Sequence, residues 1–407
     1  MIHIKNPVII KEGHKSRCNC EVIIDNYESR TIWFEVDEKY ENYLCDERSD
    51  AYVIGLLLWC IREGHDIYCD APVTEELLFN IKKILLPALI KYSNGVFNSI
   101  EIFAKTAPPL EGGNAVGTGC SCGIDSFTSI YNHMNTEFPQ HDITHLCINN
   151  VGAFNESYSD YGVEQVKQER YNKTRQLIDE YNGRFELVET DSNFLDVFYQ
   201  THYYTHTFSS IFAVYMLQKL WKYYYYASAG EGYENFSVKD ISNIGAAKYE
   251  IISLPCFSIS NLKIISESAE LNRLEKTKQI IDIPIVQKYL HVCIEKPYNC
   301  GVCSKCRRTL VTIDLLGKLD KYETVFDIDY YKKHRDEYYI WLYEKHLEDT
   351  PMIKPIYDEF SNDANYQQTI NKYLRNKKRE RNKRKLIHMI PKNIKTLIKG
   401  LIKLINK

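Results

Sequence analysis

The 407-residue sequence contains no run of about 18 apolar residues, and its first ten residues, MIHIKNPVII, are too short and too charged for a secretory signal. No internal repeat is visible. The sequence also lacks a Walker A loop with its Gly-Lys-Ser/Thr and the glycine triplet of a Rossmann fingerprint. These absences argue against a spanning, secreted or repeat protein. Thirteen cysteines in such a chain predict a reduced, cytoplasmic protein.

A short segment of small residues, Gly119 to Ser126, has the sequence GCSCGIDS and is termed here the 119–126 loop. Residues 114–118 before it are light enough for a buried parallel strand, and Phe127, Ile130 and Tyr131 after it have helical spacing. The first N–H groups of a helix lack internal partners, and the helix dipole is positive at this end. The segment therefore predicts a phosphate-binding turn, although an ordinary Ser/Gly turn that caps a helix fits the same letters.

The letters SCGIDS resemble the Ser-Gly-Gly-x-Asp-Ser signature of the PP-loop ATP pyrophosphatases. The resemblance implies ATP as cofactor and a pyrophosphate cradle made of residues Ser121, Cys122, Gly123, Ile124, Asp125 and Ser126. Asp125 and Ser126 would be the catalytic pair, with Asp125 holding Mg²⁺ or orienting the cradle. Cys122 replaces the first glycine of the signature, where a Cβ atom penalises a positive φ. It is either a tolerated small residue or a reactive thiol.

Four cysteines lie close together in the run CIEKPYNCGVCSKC: Cys293, Cys300, Cys303 and Cys306. Two residues between successive cysteines allow thiolates to converge on one metal, and the earlier cysteine completes a tetrahedral site. The spacing predicts a structural Zn²⁺ ion, because four thiolates leave no position for water. An iron–sulfur cluster and disulfides are the alternatives.

Together, the loop and the cysteine run resemble the 7-cyano-7-deazaguanine synthase family. This resemblance covers residues 110–315 and implies an enzyme that adenylates a carboxylate with ATP and allows ammonia to attack, with zinc near the nucleotide. Members of that family start near their PP-loop, so about 108 additional N-terminal residues depart from it. Those residues alternate between strand-like and helical stretches and name no substrate.

Apolar runs that alternate with helical patterns predict an α/β fold, with a parallel-sheet, HUP-like nucleotide domain. The predicted domains are an α+β module at 1–108, the ATP-binding domain with its zinc knuckle at 110–315, a helical extension at 316–371 and a basic tail at 372–407. Arg273, Lys276 and Lys278 lie on one predicted helix. We favour a solvated helix face for them over phosphate binding. His202 and His206, four residues apart, would share one helical face and are predicted to be structural, while they remain candidates for the rim of the site.

The tail differs physically from the rest of the chain. Residues 372–407 contain fourteen Lys and Arg and one acid, whereas the other residues carry a net charge of −16. From Lys392 onwards, apolar residues recur on one helical face with lysines between them. This pattern predicts a basic amphipathic helix on an anionic membrane surface, here the inner face of the membrane. Nucleic-acid binding and docking on the acidic body are the alternatives.

The sequence thus predicts an AMP- and pyrophosphate-forming ligase or amidotransferase that acts on an unidentified small-molecule carboxylate or carbonyl. Surface-polysaccharide or modified-nucleobase biosynthesis would suit such an enzyme. A PP-loop sulfurtransferase and a zinc-stapled, non-catalytic nucleotide-binding scaffold at a membrane remain alternatives. The oligomeric state, the acyl substrate and the nitrogen or sulfur donor cannot be derived from the residues.

Overall fold

A computed structural model describes residues 1–25, 27–152, 162–229, 232–239, 241–243, 245–348 and 350–389, excepting the side chains of Ser242 and residues 383–389. The chain divides into two compact units, Met1–Ile328 and Asp329–Lys407. The candidate site lies entirely in the first unit, which contains every strand found in the described residues.

The strands, in chain order, are β1 Ile2–Ile4, β2 Val8–Glu12, β3 Lys15–Ile24, β4 Glu28–Asp37, β5 Ile67–Cys69, β6 Val73–Thr74, β7 Ile102–Phe103, β8 Thr106–Ala107, β9 Ala115–Gly119, β10 His145–Asn149, β11 Glu186–Ser192, β12 Trp221–Ala227 and β13 Lys263–Glu267. The α-helices are α1 Asp50–Glu63, α2 Glu75–Asn80, α3 Leu86–Tyr92, α4 Ile124–Asn132, α5 Val163–Glu180, α6 Phe194–Val197, α7 His202–Met216, α8 Gly232–Asn235, α9 Glu250–Cys256, α10 Arg273–Ile280, α11 Pro284–Tyr289, α12 Ser304–Leu315, α13 Ile328–His346, α14 Lys354–Phe360 and α15 Ala364–Met389. A π-helical turn, Ile81–Leu85, joins α2 to α3.

Five neighbouring strands form a parallel sheet in the order β13-β12-β9-β10-β11. Counted from β9 as the first strand, this order is 5-4-1-2-3, so the chain winds outwards in both directions from β9. The strand order therefore reverses between β9 and β12. In open α/β sheets, ligands bind beyond the carboxyl ends of the strands at this switch point. The 119–126 loop follows β9 at that position, and the predicted α/β class with a largely parallel sheet is confirmed.

The N-terminal residues continue the same sheet. Strand β4 pairs with β11 in antiparallel register, with Val36 opposite Thr190, and β3, β1, β5 and β7 follow outwards. Residues of both predicted modules, such as Phe34 and Phe212, also share one hydrophobic core. The predicted boundary near residue 108 therefore does not divide the sheet, because backbone pairing and apolar burial both cross it.

Strand β9 needs small residues because it lies beneath aromatic rings. A Cβ atom on Gly117 would come within 2.7 Å of the ring of Trp221, which is buried in the neighbouring strand β12. The light sequence of β9 therefore lets β12 pack its ring directly over the strand. This packing fixes the strand that leads into the 119–126 loop.

The described part of the second unit is helical and comprises most of α13 with α14 and α15. The basic run 377–385 lies within α15. The predicted amphipathic segment from Lys392 onwards lies outside the described residues. Among the described helices, none is both long and apolar enough to cross a membrane.

Candidate functional site

The 119–126 loop connects β9 to α4 at the switch point of the sheet. The first hydrogen bond of α4 joins the Phe127 N–H to the Gly123 carbonyl at 3.1 Å. The N–H groups of Ile124, Asp125 and Ser126 precede this bond, so the helix itself supplies them with no acceptor. Three successive amide donors at the positive end of a helix form a concave site suited to an anion.

Two serine hydroxyls close the loop. Ser121 Oγ accepts from the Gly123 N–H at 3.3 Å and lies 3.4 Å from Ser126 Oγ, which donates to the Gly123 carbonyl at 3.1 Å. These weak contacts hold both hydroxyls over the first turn of α4. All six predicted cradle residues are therefore brought together at one turn.

Cys122 adopts the backbone conformation of the glycine that it replaces. Its φ is +59° and its side chain is buried, at 2 % exposure. A left-handed conformation costs a non-glycine residue roughly 1–2 kcal/mol, so surrounding contacts must hold it. One such contact is a hydrogen bond of 2.8 Å from the His291 N–H to the Cys122 carbonyl. The turn therefore holds Cys122 in the left-handed region despite its Cβ atom.

The Cys122 thiol lies among polar and positive groups. A hydrogen bond with Cys120, followed by the positive charges of Arg170 and Lys173, outweighs burial and lowers the pKa of Cys122 to about 7. Cys120, which follows β9 directly, is also buried, at 2 % exposure. Because the Cys122 side chain is equally enclosed, its thiol faces protein groups rather than solvent.

Asp125 projects from the first turn of α4 into an ion cluster. Its Oδ2 atom lies 2.9 Å from Arg273 Nη2 and its Oδ1 atom 3.5 Å from Lys276 Nζ. Backbone carbonyls beyond β12 accept further bonds, at 2.8 Å from Arg273 to Ala229 and at 2.7 Å from Lys276 to Ser228. Burial opposes the charge of Asp125, but the two cations prevail and lower the pKa of this carboxyl.

This cluster corrects the solvated interpretation of α10. Arg273 is 8 % exposed and Lys276 is fully buried, whereas Lys278 is exposed. Glu275 forms a capping box with Asn272 at the start of α10. The buried face of the helix turns its two cations towards the 119–126 loop.

Helix α12 brings two further cations to the same place. The Lys305 side chain is solvent-accessible, yet the surrounding protein, together with the positive charges of Arg308 and Arg273, lowers its pKa to about 8. Lys305 therefore lies at the accessible side of this group of charges, near Asp125 and Arg273. Arg273, Lys276, Lys305 and Arg308 are termed here the cation cluster. Positive groups gathered beside the loop favour an anionic ligand.

His202 and His206 lie near the cation cluster on α7, with ring centroids 5.7 Å apart. His206 Nδ1 and the Tyr226 hydroxyl are 2.7 Å apart. Burial lowers the pKa of His202 to about 4 and that of His206 to about 3, and Lys305 adds to both effects. The pair is therefore neutral at pH 7 and lies at the edge of the site.

The residues around Asp125 do not fit a dedicated Mg²⁺ site. Both Asp125 oxygens face cations, and in the described part of the chain the four cysteines are the only group of three or more His, Cys, Asp or Glu side chains that could hold a metal. A Mg²⁺ site normally offers one or two free carboxylates beside substrate phosphates. Of the two predicted roles of Asp125, the contacts match the orientation of the cradle rather than metal binding.

The four cysteines form a compact metal site. All four Sγ atoms lie within 4.8 Å of one another, with 3.8 Å between Cys293 and Cys303 and 4.0 Å between Cys300 and Cys306. Four thiolates about 2.3 Å from a tetrahedral zinc ion stand roughly 3.8 Å apart. The separations are far longer than a disulfide bond of about 2.05 Å. The geometry thus fits one zinc ion.

Backbone N–H groups already point at these sulfurs, from Glu295 to Cys293 at 3.4 Å and from Cys303 to Cys300 at 3.3 Å. Such donors compensate the negative charge of a tetrathiolate site. The donor set therefore suits a metal bound by thiolates.

The knuckle is joined to the 119–126 loop through the segment before Cys293. Asn299 Oδ1 accepts from the Val292 N–H at 2.8 Å, and Asn299 Nδ2 donates to the Leu290 carbonyl at 2.9 Å. His291, held between these two contacts, bonds to Cys122. Since α12 starts directly after Cys303, the four-cysteine segment contacts the loop and leads into the helix that carries Lys305.

Sequence reasoning did not identify Lys305, Arg308 or Arg170 as residues of the site. Arg170 on α5 donates to the Ser121 carbonyl at 2.6 Å. Cations three residues apart, at 305 and 308 and again at 170 and 173, share one helix face, and this spacing was the available signal. Comparisons with protein-family models, curated proteins and solved structures find no match for this chain.

Proposed function

We propose that this protein is an ATP-dependent, AMP- and pyrophosphate-forming ligase or amidotransferase of the PP-loop type, with a HUP-like nucleotide domain. One observation carries the proposal: the 119–126 loop presents three amide donors at the switch point of a parallel sheet, next to a cluster of four cations. Phosphate groups require such donors, and the position is where α/β sheets bind nucleotides.

In the proposed reaction, an oxygen of a substrate carboxylate attacks the α-phosphorus of ATP. The O–P bond forms as the bond from the α-phosphorus to the bridging oxygen breaks, and the electron pair leaves with pyrophosphate. The amides of the 119–126 loop, the Ser121 and Ser126 hydroxyls and the cation cluster stabilise this growing charge. Asp125 holds Arg273 and Lys276 in position. A nitrogen nucleophile then displaces AMP from the acyl adenylate.

The zinc ion is proposed as a structural element. Four thiolates satisfy its coordination and leave no position for substrate. Its contribution is to fix the Cys293–Cys306 segment, and with it the His291 contact to the loop and the start of α12. The basic tail is proposed to hold the enzyme at an anionic membrane surface.

Product analysis tests the proposed reaction. Full-length protein is incubated with Mg-ATP and a panel of carboxylates and ammonium, and nucleotides are separated by ion-exchange chromatography. We expect AMP and pyrophosphate from the wild type and neither from Asp125→Ala, while Asp282→Asn, an exposed position on the surface, keeps full turnover. ADP and phosphate as products would exclude the mechanism.

A further inference from the structure

Helix α5 turns two cations towards the 119–126 loop from the side opposite the cation cluster. Arg170 Nη2 donates to the Ser121 carbonyl, whereas Arg170 Nη1 is buried and has no hydrogen-bond partner within the described residues. Lys173 lies one turn further along, close enough to respond to the charge of Cys122. Both side chains therefore lie beside the apex of the loop.

Lys173 is half-buried and lacks a counter-ion. In the part of the chain that the structure describes, no carboxylate lies within ion-pair distance of its Nζ atom, and burial lowers its pKa to about 8. By contrast, Arg175 on the same helix pairs with Glu189 at 2.7 Å. A buried cation without a partner destabilises a protein unless a ligand supplies the missing negative charge.

Lys173 also faces open space. An open cavity of about 370 Å³ lies between α5 and α11, lined by Lys173, Asn172, Gln176, Glu169, Lys288 and Tyr289. Lys288 is already paired with Glu180, and the Glu169 carboxylate accepts from Gln165 at 2.9 Å. Lys173 is thus the lysine in this cavity that has no counter-ion.

We propose that Arg170 and Lys173 form a second oxyanion subsite, which binds the pyrophosphate end of the nucleotide from the α5 side. This inference rests on the proposed function. As the bond from the α-phosphorus to the bridging oxygen breaks, the electron pair moves onto pyrophosphate, and Lys173 and Arg170 Nη1 donate to its oxygens. The subsite complements the cation cluster on the other side of the loop. It also supplies positive charge beside a loop whose Asp125 oxygens both face cations.

The test is calorimetric binding of inorganic pyrophosphate, ATP and AMP to full-length wild type, Lys173→Met and Lys288→Met. A charge-assisted hydrogen bond lost from a partly buried site weakens binding by about tenfold or more. We expect this loss for pyrophosphate and ATP in Lys173→Met, with AMP affinity unchanged. Lys288→Met, which removes a paired lysine from the same cavity, should bind all three ligands like the wild type.

Thermal unfolding separates this role from a structural one. Because no described carboxylate pairs with Lys173, Lys173→Met should keep or raise the melting temperature without ligand and lose most of the shift that pyrophosphate induces in the wild type. Pyrophosphate affinity equal to the wild type in Lys173→Met would overturn the subsite while leaving the proposed function intact. An equal weakening of AMP binding would also overturn it, as a general structural effect. A wild type that binds no pyrophosphate would contradict the proposed function, and the subsite with it.

Discussion

Replacing Asp125 by asparagine tests the ion cluster that organises the candidate site. The carboxylate contacts Arg273 at 2.9 Å and Lys276 at 3.5 Å, and the side chains are 25 %, 9 % and 1 % exposed respectively. Each contact is a gross attraction of about 4–6 kcal/mol at an effective dielectric constant near 20, most of which is offset by desolvation. Removing one partner of a buried ion pair costs about 3–5 kcal/mol. Asp125 is partly exposed, and the asparagine that replaces it keeps an oxygen that can accept a hydrogen bond. We therefore expect a loss of unfolding free energy at the lower end of this range, about 3 kcal/mol.

The measurement is urea unfolding followed by tryptophan fluorescence. A Trp341→Phe background removes the tryptophan of the second unit, so that the signal reports only on the first, where Trp221 is buried. The control is Asp282→Asn, whose carboxylate makes an exposed pair with Lys318 at 2.5 Å. Exposed pairs contribute about 1 kcal/mol or less. A loss in Asp125→Asn no larger than that of the control would refute the ion cluster.

Wild type and Asp125→Asn should also differ in how their free energy of unfolding depends on pH, and the sign of that difference follows from the pKa of Asp125. The pKa of Asp125 in the folded protein lies below its ordinary value of 3.8. The carboxylate therefore stabilises the folded state fully above about pH 4, and this contribution is lost as the pH falls through the folded-state pKa. The stability difference between wild type and Asp125→Asn should be constant near neutrality and shrink in acid. A difference that grows on acidification would contradict the assignment.

Three further outcomes are expected. Cys122→Gly should change the free energy of unfolding by less than about 1 kcal/mol, because relief of the left-handed strain offsets the lost burial, whereas Cys122→Val should destabilise by about 2 kcal/mol or more in urea unfolding. Equal losses in the two variants would contradict the φ of +59°. Elemental analysis should find one zinc per chain, and its removal by a chelator should lower the melting temperature and weaken pyrophosphate binding, with zinc restoring both; unchanged binding would separate the knuckle from the site. Full-length protein should co-sediment with anionic vesicles and not with neutral ones, and truncation after residue 371 should abolish sedimentation; equal binding of both vesicle types would argue against an electrostatic anchor.

Local sequence patterns were sufficient to predict the strand and the helix on either side of the loop. The light run at 114–118 predicts a strand and becomes β9 at Ala115–Gly119, and the helical spacing after it becomes α4. The cysteine spacing likewise predicts the compact four-sulfur group, because ligands two residues apart are brought together by a single turn. In each case, nearest neighbours in the sequence determine the geometry.

Contacts between distant residues could not be derived in this way. The cations of α10 look like a solvated face because their partner, Asp125, lies about 150 residues earlier in the chain. Similarly, the N-terminal residues look like a separate module because the pairing of β4 with β11 depends on register between remote strands. In the sequence, Lys305 and Arg308 stand next to the cysteines and give no sign of a separate role. Their position near the loop depends on the direction in which α12 runs.

The most direct test of the account is the fate of carboxylate oxygen. Full-length protein is incubated with Mg-ATP, ammonium and a panel of carboxylates labelled with ¹⁸O, and the AMP that forms is analysed by mass spectrometry. Attack of a carboxylate on the α-phosphorus, followed by cleavage of the acyl adenylate, predicts AMP that carries one ¹⁸O atom. Unlabelled AMP, or ADP in its place, would contradict adenylation at the 119–126 loop.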